Sequence, residues 1–280
     1  MTFSKIKRFI CIAIMLLLMV TIPSVAYARP VPGDVIVQSE EYPMYYMSAD
    51  GGTYIEITKE VYFGSECFIA RIVTDDPSLL KSCFAMNRFD KTGVMTEVAR
   101  DHDAVFMVNA DYCTMCMWNN YVIRDRKVYR EGYPHVAEGA YFCVMNTGHL
   151  EFVSLKTQSK DALALGVVHS FSFYSGPMVL NGENRGGNGS IHPRTFMGEA
   201  PRDDGKLEYY IVVADGRRED SRGLSHYEEG EILLSKGCTI GYNLDGGGSS
   251  EMVFDGKILN VPSDGHERHD HDFIYVRYGD

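Results

Sequence analysis

Gly241-Tyr242-Asn243-Leu244-Asp245-Gly246-Gly247-Gly248-Ser249-Ser250 decides how this chain is read. Cys238 to Tyr242 is a short apolar segment fit for a buried strand, and three consecutive glycines then rule out a regular element. Glycines in a row suit a sharp bend or a close approach of backbone to a ligand. A strand ending in Asn243 and Asp245, then a glycine bend and two hydroxyls, predicts either a site edge or a turn that satisfies its own amides.

Upstream, Ser225 to Lys236 predicts a helix. Ser225 and Glu228 have capping-box spacing, Ile232, Leu233 and Leu234 supply an apolar face, and Gly237 stops it. Before that helix, Glu208 to Val213 reads as a buried strand delivering Asp215-Gly216-Arg217-Arg218. Strand, loop, helix, strand, loop makes a βαβ-like unit, which sets Asp215 and Asp245 at one sheet edge as the ends of parallel neighbours.

Further out, the chain is mostly short strands. Tyr54–Thr58, Phe68–Val73, Ala104–Val108 and Phe273–Tyr278 carry strand composition. Tyr121–Arg130, Tyr141–Val153 and Glu251–Leu259 read as hairpins turning at Asp125-Arg126, Asn146-Thr147-Gly148 and Asp255-Gly256. Met95 to His102 is the second helix candidate. The fold class is α+β, a mixed α/β chain with a predominantly β core, a few helices and a single compact domain.

Residues 1–28 read as a signal peptide. Lys5, Lys7 and Arg8 precede the apolar run Phe9–Ile22, and Ala26-Tyr27-Ala28 offers cleavage before Arg29. The run is short of the ~20 residues a membrane span needs, so an uncleaved anchor is the lesser reading. The expectation is a secreted protein with no stable membrane partner. The net charge of −11, deeper once those three cations leave, argues against nucleic acid as a partner. An anionic substrate then requires arginines concentrated at the site.

Six cysteines follow the signal: Cys67, Cys83, Cys113, Cys116, Cys143 and Cys238. Export permits disulfides in any of fifteen pairings. Structural disulfides or buried thiols are the first reading; Cys113-Thr-Met-Cys116 also admits a redox or zinc role.

Asn109-Ala110-Asp111 ends the Ala104 strand, His192-Pro193-Arg194-Thr195 opens another segment, and Glu267-Arg268 follows the last hairpin. With His192-Pro-Arg-Thr-Phe-Met-Gly198, Asp215-Gly216, Ser221-Arg-Gly-Leu224, Asn243-Leu-Asp-Gly-Gly-Gly-Ser249 and Pro262-Ser263 in this order, the chain resembles the phosphodiester glycosidase family. The resemblance covers about Ala104 to Val276. It divides the mature chain into 29–103, without motifs, and a catalytic region, 104–280. Asn109 carries over from the family pattern, whereas Asp111 and the C-x-x-C are this chain's own.

The resemblance implies hydrolysis of a sugar 1-phosphodiester, of the kind in which an animal member removes N-acetylglucosamine. It points to glycans or envelope and exopolysaccharide polymers as substrate, with no required cofactor. Such chemistry needs the phosphate held, an oxocarbenium-like centre stabilised and water directed. Asp245, Asp215 and Glu267 are the candidate catalytic carboxylates. Arg194, then Arg268 and Arg218, suit the phosphate; Asn109, Asp111, Asn243, Gly246, Gly247, Gly248 and Ser249 complete the binding candidates. Bland roles compete: Asp215 as a turn cap, Arg194 as an ion pair, Asn109 as an Asx turn. His266, His269 and His271 admit a divalent cation. A metal-assisted phosphodiesterase and a non-catalytic module for anionic glycans are the competing functions. Oligomeric state does not follow from the sequence.

Overall fold

Residues at positive φ set the turns of the computed structural model, which describes residues 31–39, 41–111, 120–132, 139–173 and 176–280. Residues 1–28, expected to be a signal peptide, and Cys113–Cys116 therefore lie outside the described residues. Phe63 and Gly64 (φ 50° and 74°) join Thr53–Tyr62 to Ser65–Thr74. Asp125 and Arg126 (49° and 60°) join Val122–Arg124 to Lys127–Arg130, and Asp255 and Gly256 (47° and 75°) join Met252–Phe254 to Lys257–Ile258. Two central residues at positive φ give the turn whose twist matches that of paired strands.

These hairpins build two large sheets. The nine-stranded one runs, in order, Val35–Val37, Met44–Met47, Thr53–Tyr62, Ser65–Thr74, Leu207–Ala214, Arg194–Glu199, Ile240–Asn243, Val179–Leu180 and Glu183–Asn184. The five-stranded one runs Lys257–Ile258, Met252–Phe254, Ala104–Asn109, Asp272–Arg277 and Lys81–Phe84. Between them lies the main core, where Ile55, Ile57, Ile72, Ile211, Val213 and Tyr242 of the first meet Val108, Met252, Phe254, Ile274 and Val276 of the second.

Among the described residues three α-helices cover the outside. His226–Ser235 packs Ile232 and Leu233 on Phe196, Val212 and Ala214 of the large sheet. Its capping box forms as the spacing predicts: Glu228 N–H donates to Ser225 Oγ and Ser225 N–H to the Glu228 carboxylate. Met95–Asp101 packs on the other sheet through Met95, Val98 and Ala99. Ser159–Leu165 serves a three-stranded sheet of Ala140–Met145, Leu150–Ser154 and Val167–Phe171. The chain is α+β with a mostly β core.

One expectation needs correction. Leu207–Ala214 and Ile240–Asn243 point the same way but are not neighbours, because Arg194–Glu199 lies between them, antiparallel to both. A helical crossover fixes the direction of the second strand, not its adjacency. The shared edge survives: Arg194 stands opposite Ala214, and Phe196 opposite Asn243. Cys67, Cys83, Cys143 and Cys238 are buried free thiols, so no disulfide joins these four. Among the described residues no helix is long and apolar enough to cross a membrane.

Candidate functional site

The Asn243–Ser250 loop is held from both sheets. Leu244 N–H donates to Thr195 O and Asp245 N–H to Ala110 O, each 2.8 Å. Buried Asn109 donates from Nδ2 to Asp245 O (2.7 Å), while its Oδ1 accepts Thr195 Oγ1 (2.6 Å) and Glu251 N–H (3.3 Å). One amide thus ties both sheets to the Asp245 peptide. The glycines are there for packing. A Cβ on Gly246 would sit 2.9 Å from Pro193 O, and Gly247 adopts φ +67°.

The loop does not form the array of amide donors its composition suggests. Gly246 N–H is spent on Asp245 Oδ1 (2.7 Å) and Gly247 N–H on Pro193 O (2.9 Å). Ser249 and Ser250 N–H donate back to Gly246 O and Gly247 O, closing a tight turn that uses them internally.

Three carboxylates gather behind it. Burial raises Asp245 to about 7, the charge of Asp270 adds to this, and Gly246 N–H and Ser249 pull the other way. Burial raises Glu251 to about 8 despite the Arg268 N–H it accepts (2.7 Å). Asp270 is also raised by burial, although it accepts Ser249 Oγ (2.9 Å) and faces Arg268. Glu251 Oε2, Asp270 Oδ2 and Ser250 Oγ are buried with no hydrogen-bond partner. Carboxyls this poorly solvated favour the protonated form. Asp245 is the one of the three left partly exposed.

Two arginines cover the glycines. Arg268 packs on Gly248, where an added Cβ would collide with its Nη2 and with Asp264 Oδ2. Its Nε donates to Asp264 (3.0 Å) and its Nη1 lies 3.4 Å from Ser249 Oγ. Arg217 packs on Gly247, with Nη2 3.1 Å from where a Cβ would stand. Its contacts are Ser263 Oγ and His192 Nδ1, both at 3.4 Å, and it has no carboxylate within 4.0 Å among the described residues.

The other sequence candidates have structural duties. Arg194 is buried: its Nε donates to Leu224 O (3.0 Å) and its Nη2 to Ser190 O (2.6 Å), and the guanidinium forms an ion pair with Glu229 (3.1 Å). Arg218 is divided among Asp215, Asp220 and Glu66. Asp215 is buried, accepting from Arg218 (2.7 Å), Asn260 Nδ2 (3.0 Å) and Val261 N–H (3.1 Å). Its oxygens brace the chain after the last hairpin. Glu267 accepts Thr96 N–H and Oγ1, both 2.9 Å, and so caps the Met95–Asp101 helix. Asp111 accepts Ser172 N–H (2.8 Å) beside the buried Arg124–Asp272 pair. Asn243 is fully buried, its amide without a hydrogen-bond partner.

No group of three or more His, Cys, Asp or Glu suited to a metal ion occurs among the described residues; His266, His269 and His271 form none. His271 Nδ1 instead lies 3.1 Å from Lys91 O. The structure thus gathers Asp245, Gly246–Ser249 and Arg268, over Asn109, and adds three groups the sequence reading passed over. Asp270 sat unmarked in an acidic tail, and Glu251 sat in a hairpin. Arg217 adjoined the chosen Arg218, and its one distinguishing mark, φ 60°, is conformational.

Residues 102–277 match the phosphodiester glycosidase family. A similar protein is the SPbeta prophage-derived uncharacterized protein YomE of Bacillus subtilis (strain 168), 42% identical over 89 residues, covering 32% of this chain and 13% of that protein. Human N-acetylglucosamine-1-phosphodiester alpha-N-acetylglucosaminidase is 38% identical over 74 residues, 26% of this chain and 13% of that enzyme. The chain thus matches about an eighth of the length of these relatives. Among solved structures, the zebrafish N-acetylglucosamine-1-phosphodiester alpha-N-acetylglucosaminidase catalytic domain, auto-inhibited by its pro-peptide, superposes with a TM-score of 0.63 at 18% identity, covering 87% of each chain. A hypothetical protein from Synechocystis gives 0.60 at 12% identity, covering 88% of this chain and 68% of that one. These likenesses show the fold.

Proposed function

The chain belongs to the phosphodiester glycosidase family, a family of hydrolases, and from that premise we propose that it hydrolyses the glycosidic bond of a sugar 1-phosphodiester. N-acetylglucosamine is the proposed sugar, after the named activity of the human relative. One observation carries the reading: partly exposed Asp245, backed by Asp270 and Glu251, lies under a glycine loop rimmed by Arg217 and Arg268.

In this reading the phosphoryl oxygens sit against Arg217 and Arg268, and the anomeric carbon faces Asp245. The C1–O bond breaks and the phosphate monoester leaves with the electron pair. Water supplies the hydroxyl to C1, and its proton passes to the carboxylates. A phosphate monoester leaves readily, so demand falls on charge stabilisation rather than on a strong general acid. Ser249, whose hydroxyl bonds Asp270 and also eases the Asp245 charge, links the reacting carboxylate to the buried pair. Asn109 acts through the Asp245 peptide and is a positioning residue.

We further read the protein as exported, with cleavage after Ala28 and glycans or cell-envelope polymers in reach; the amino-terminal sequence of secreted protein tests this at Arg29. The activity is tested by incubating the protein with a GlcNAc 1-phosphodiester and following products by NMR, beside Asp245→Asn. Free N-acetylglucosamine with phosphomonoester, from the wild type and not the variant, supports the proposal. Sugar 1-phosphate would make the protein a phosphodiesterase, and tight binding without turnover a glycan-binding module.

A further inference from the structure

His192 stands beside Arg217 on the rim of the glycine loop, with His226 near it, and neither histidine has a part in the chemistry above. His192 precedes Pro193, whose carbonyl receives Gly247 N–H (2.9 Å), so the imidazole is anchored to the loop Arg217 covers. His192 Nδ1 lies 3.4 Å from Arg217 Nη2. Guanidinium can only donate, so a neutral His192 turns its Nδ1 lone pair to Arg217 and carries its proton on Nε2.

The ionisable groups facing His192 are all basic. Arg194 comes from its own strand, Arg217 from the loop after Ala214, and His226 from the first turn of the His226–Ser235 helix. Burial first, then these three, lowers its proton affinity below that of an ordinary imidazole. The carboxylate beneath, Glu229, is shared by Arg194 and His226, at 3.1 Å from each. In a chain of net charge −11, this corner concentrates positive charge and has one buried counter-ion.

We propose that His192 and Arg217 form a two-armed clamp for the phosphoryl oxygens of the substrate, closed when the entering anion draws a proton onto His192. The clamp rests on the phosphodiester reading above. Protonated, His192 turns an N–H toward a guanidinium N–H, a repulsive pair. An anionic oxygen accepting from both converts that repulsion into two charge-assisted hydrogen bonds. By linkage, an anion that favours the proton is itself favoured by the proton. Each unit by which the bound anion raises the His192 pKa corresponds to about tenfold in affinity.

The test uses the Asp245→Asn protein, which on the phosphodiester reading should hold substrate without turning it over, and an alkyl GlcNAc 1-phosphodiester whose own charge is constant. Calorimetric titrations in buffers of different ionisation enthalpy count protons taken up on binding. Expected are net uptake near neutrality and affinity about tenfold tighter at about pH 5.5 than at about pH 8. Adding His192→Gln should abolish most of both effects, while adding Arg217→Gln should weaken binding at both pH values. Glu251 and Asp270 also gain protons as pH falls, so the readout is the difference that the His192→Gln substitution makes. Uptake unchanged by His192→Gln, or removed instead by His226→Gln, overturns the clamp and leaves the phosphodiester reading intact. No binding by Asp245→Asn at either pH overturns both.

Discussion

Replacing Arg217 by Ala and, separately, Arg194 by Ala should give opposite signatures. Arg217 is exposed, and its two contacts, Ser263 Oγ and His192 Nδ1, stand at 3.4 Å, the outer limit of a hydrogen bond. Its loss should leave stability within about 0.5 kcal/mol, as at most surface positions. If it holds the substrate phosphate, the lost charge-assisted bond costs about 1.5–3 kcal/mol, which is roughly 10- to 150-fold in kcat/KM. Arg194 has 6% exposure, and removing it strands Glu229, at 0%, without its guanidinium. Breaking a buried pair from one side costs about 3–5 kcal/mol, or roughly 6–20 °C in Tm for a domain of this size. The assay is kcat/KM on a GlcNAc 1-phosphodiester by NMR, beside thermal unfolding followed by circular dichroism. Unchanged kcat/KM in Arg217→Ala, or a stable Arg194→Ala protein with a selective rise in KM, would refute this division of the two arginines.

Asp245 at about 7 and Glu251 at about 8 stand above their ordinary 3.8 and 4.5. The folded state therefore holds protons the unfolded chain has released, and stability should fall as pH rises from about 4 to about 8. Glu251→Gln should flatten that decline in Tm against pH; a slope equal to wild type would contradict the burial assigned to it. Gly248→Ala drives a methyl group into the Arg268–Asp264 pair, which is partly exposed. It should cut kcat/KM by about tenfold or more while moving stability by about 1 kcal/mol or less; an unaltered kcat/KM would remove Arg268 from the phosphate. Glu267→Gln should weaken the Met95–Asp101 helix by about 1 kcal/mol and keep turnover within about threefold, since Glu267 is spent on Thr96. Loss of most turnover would return it to the catalytic group.

Local signals in the sequence translated well. Asp125-Arg126 and Asp255-Gly256 turn where their composition says, and Ser225 with Glu228 caps the predicted helix. Spatial order did not, because pairing of Arg194–Glu199 between two parallel strands is decided by which apolar faces meet, not by chain proximity. The Ser159–Leu165 helix was missed: it is short, and its one clear marker is the stop at Gly166, φ 102°. For the site, Asp245 and its glycines were legible because they are contiguous. Asp270 and Glu251 owe their character to burial and mutual charge, properties that exist after folding. Asp215 and Arg194 looked like chemistry because buried charge uses the same residue types as catalysis, and partners alone separate the two.

The nine-stranded sheet has a consequence for where this protein can be cut. The family match begins at residue 102, but the eight residues Leu207–Ala214 pair register for register with Thr74 back to Cys67. A fragment that begins at the match would leave that ladder as an open edge, with Val213 and Ile211 deprived of Phe68, Ala70 and Ile72. Long apolar edges recruit other chains. The stretch that similarity delimits should therefore not fold on its own, and its expression alone should yield aggregates. The unmatched residues upstream act as the sheet's built-in terminator.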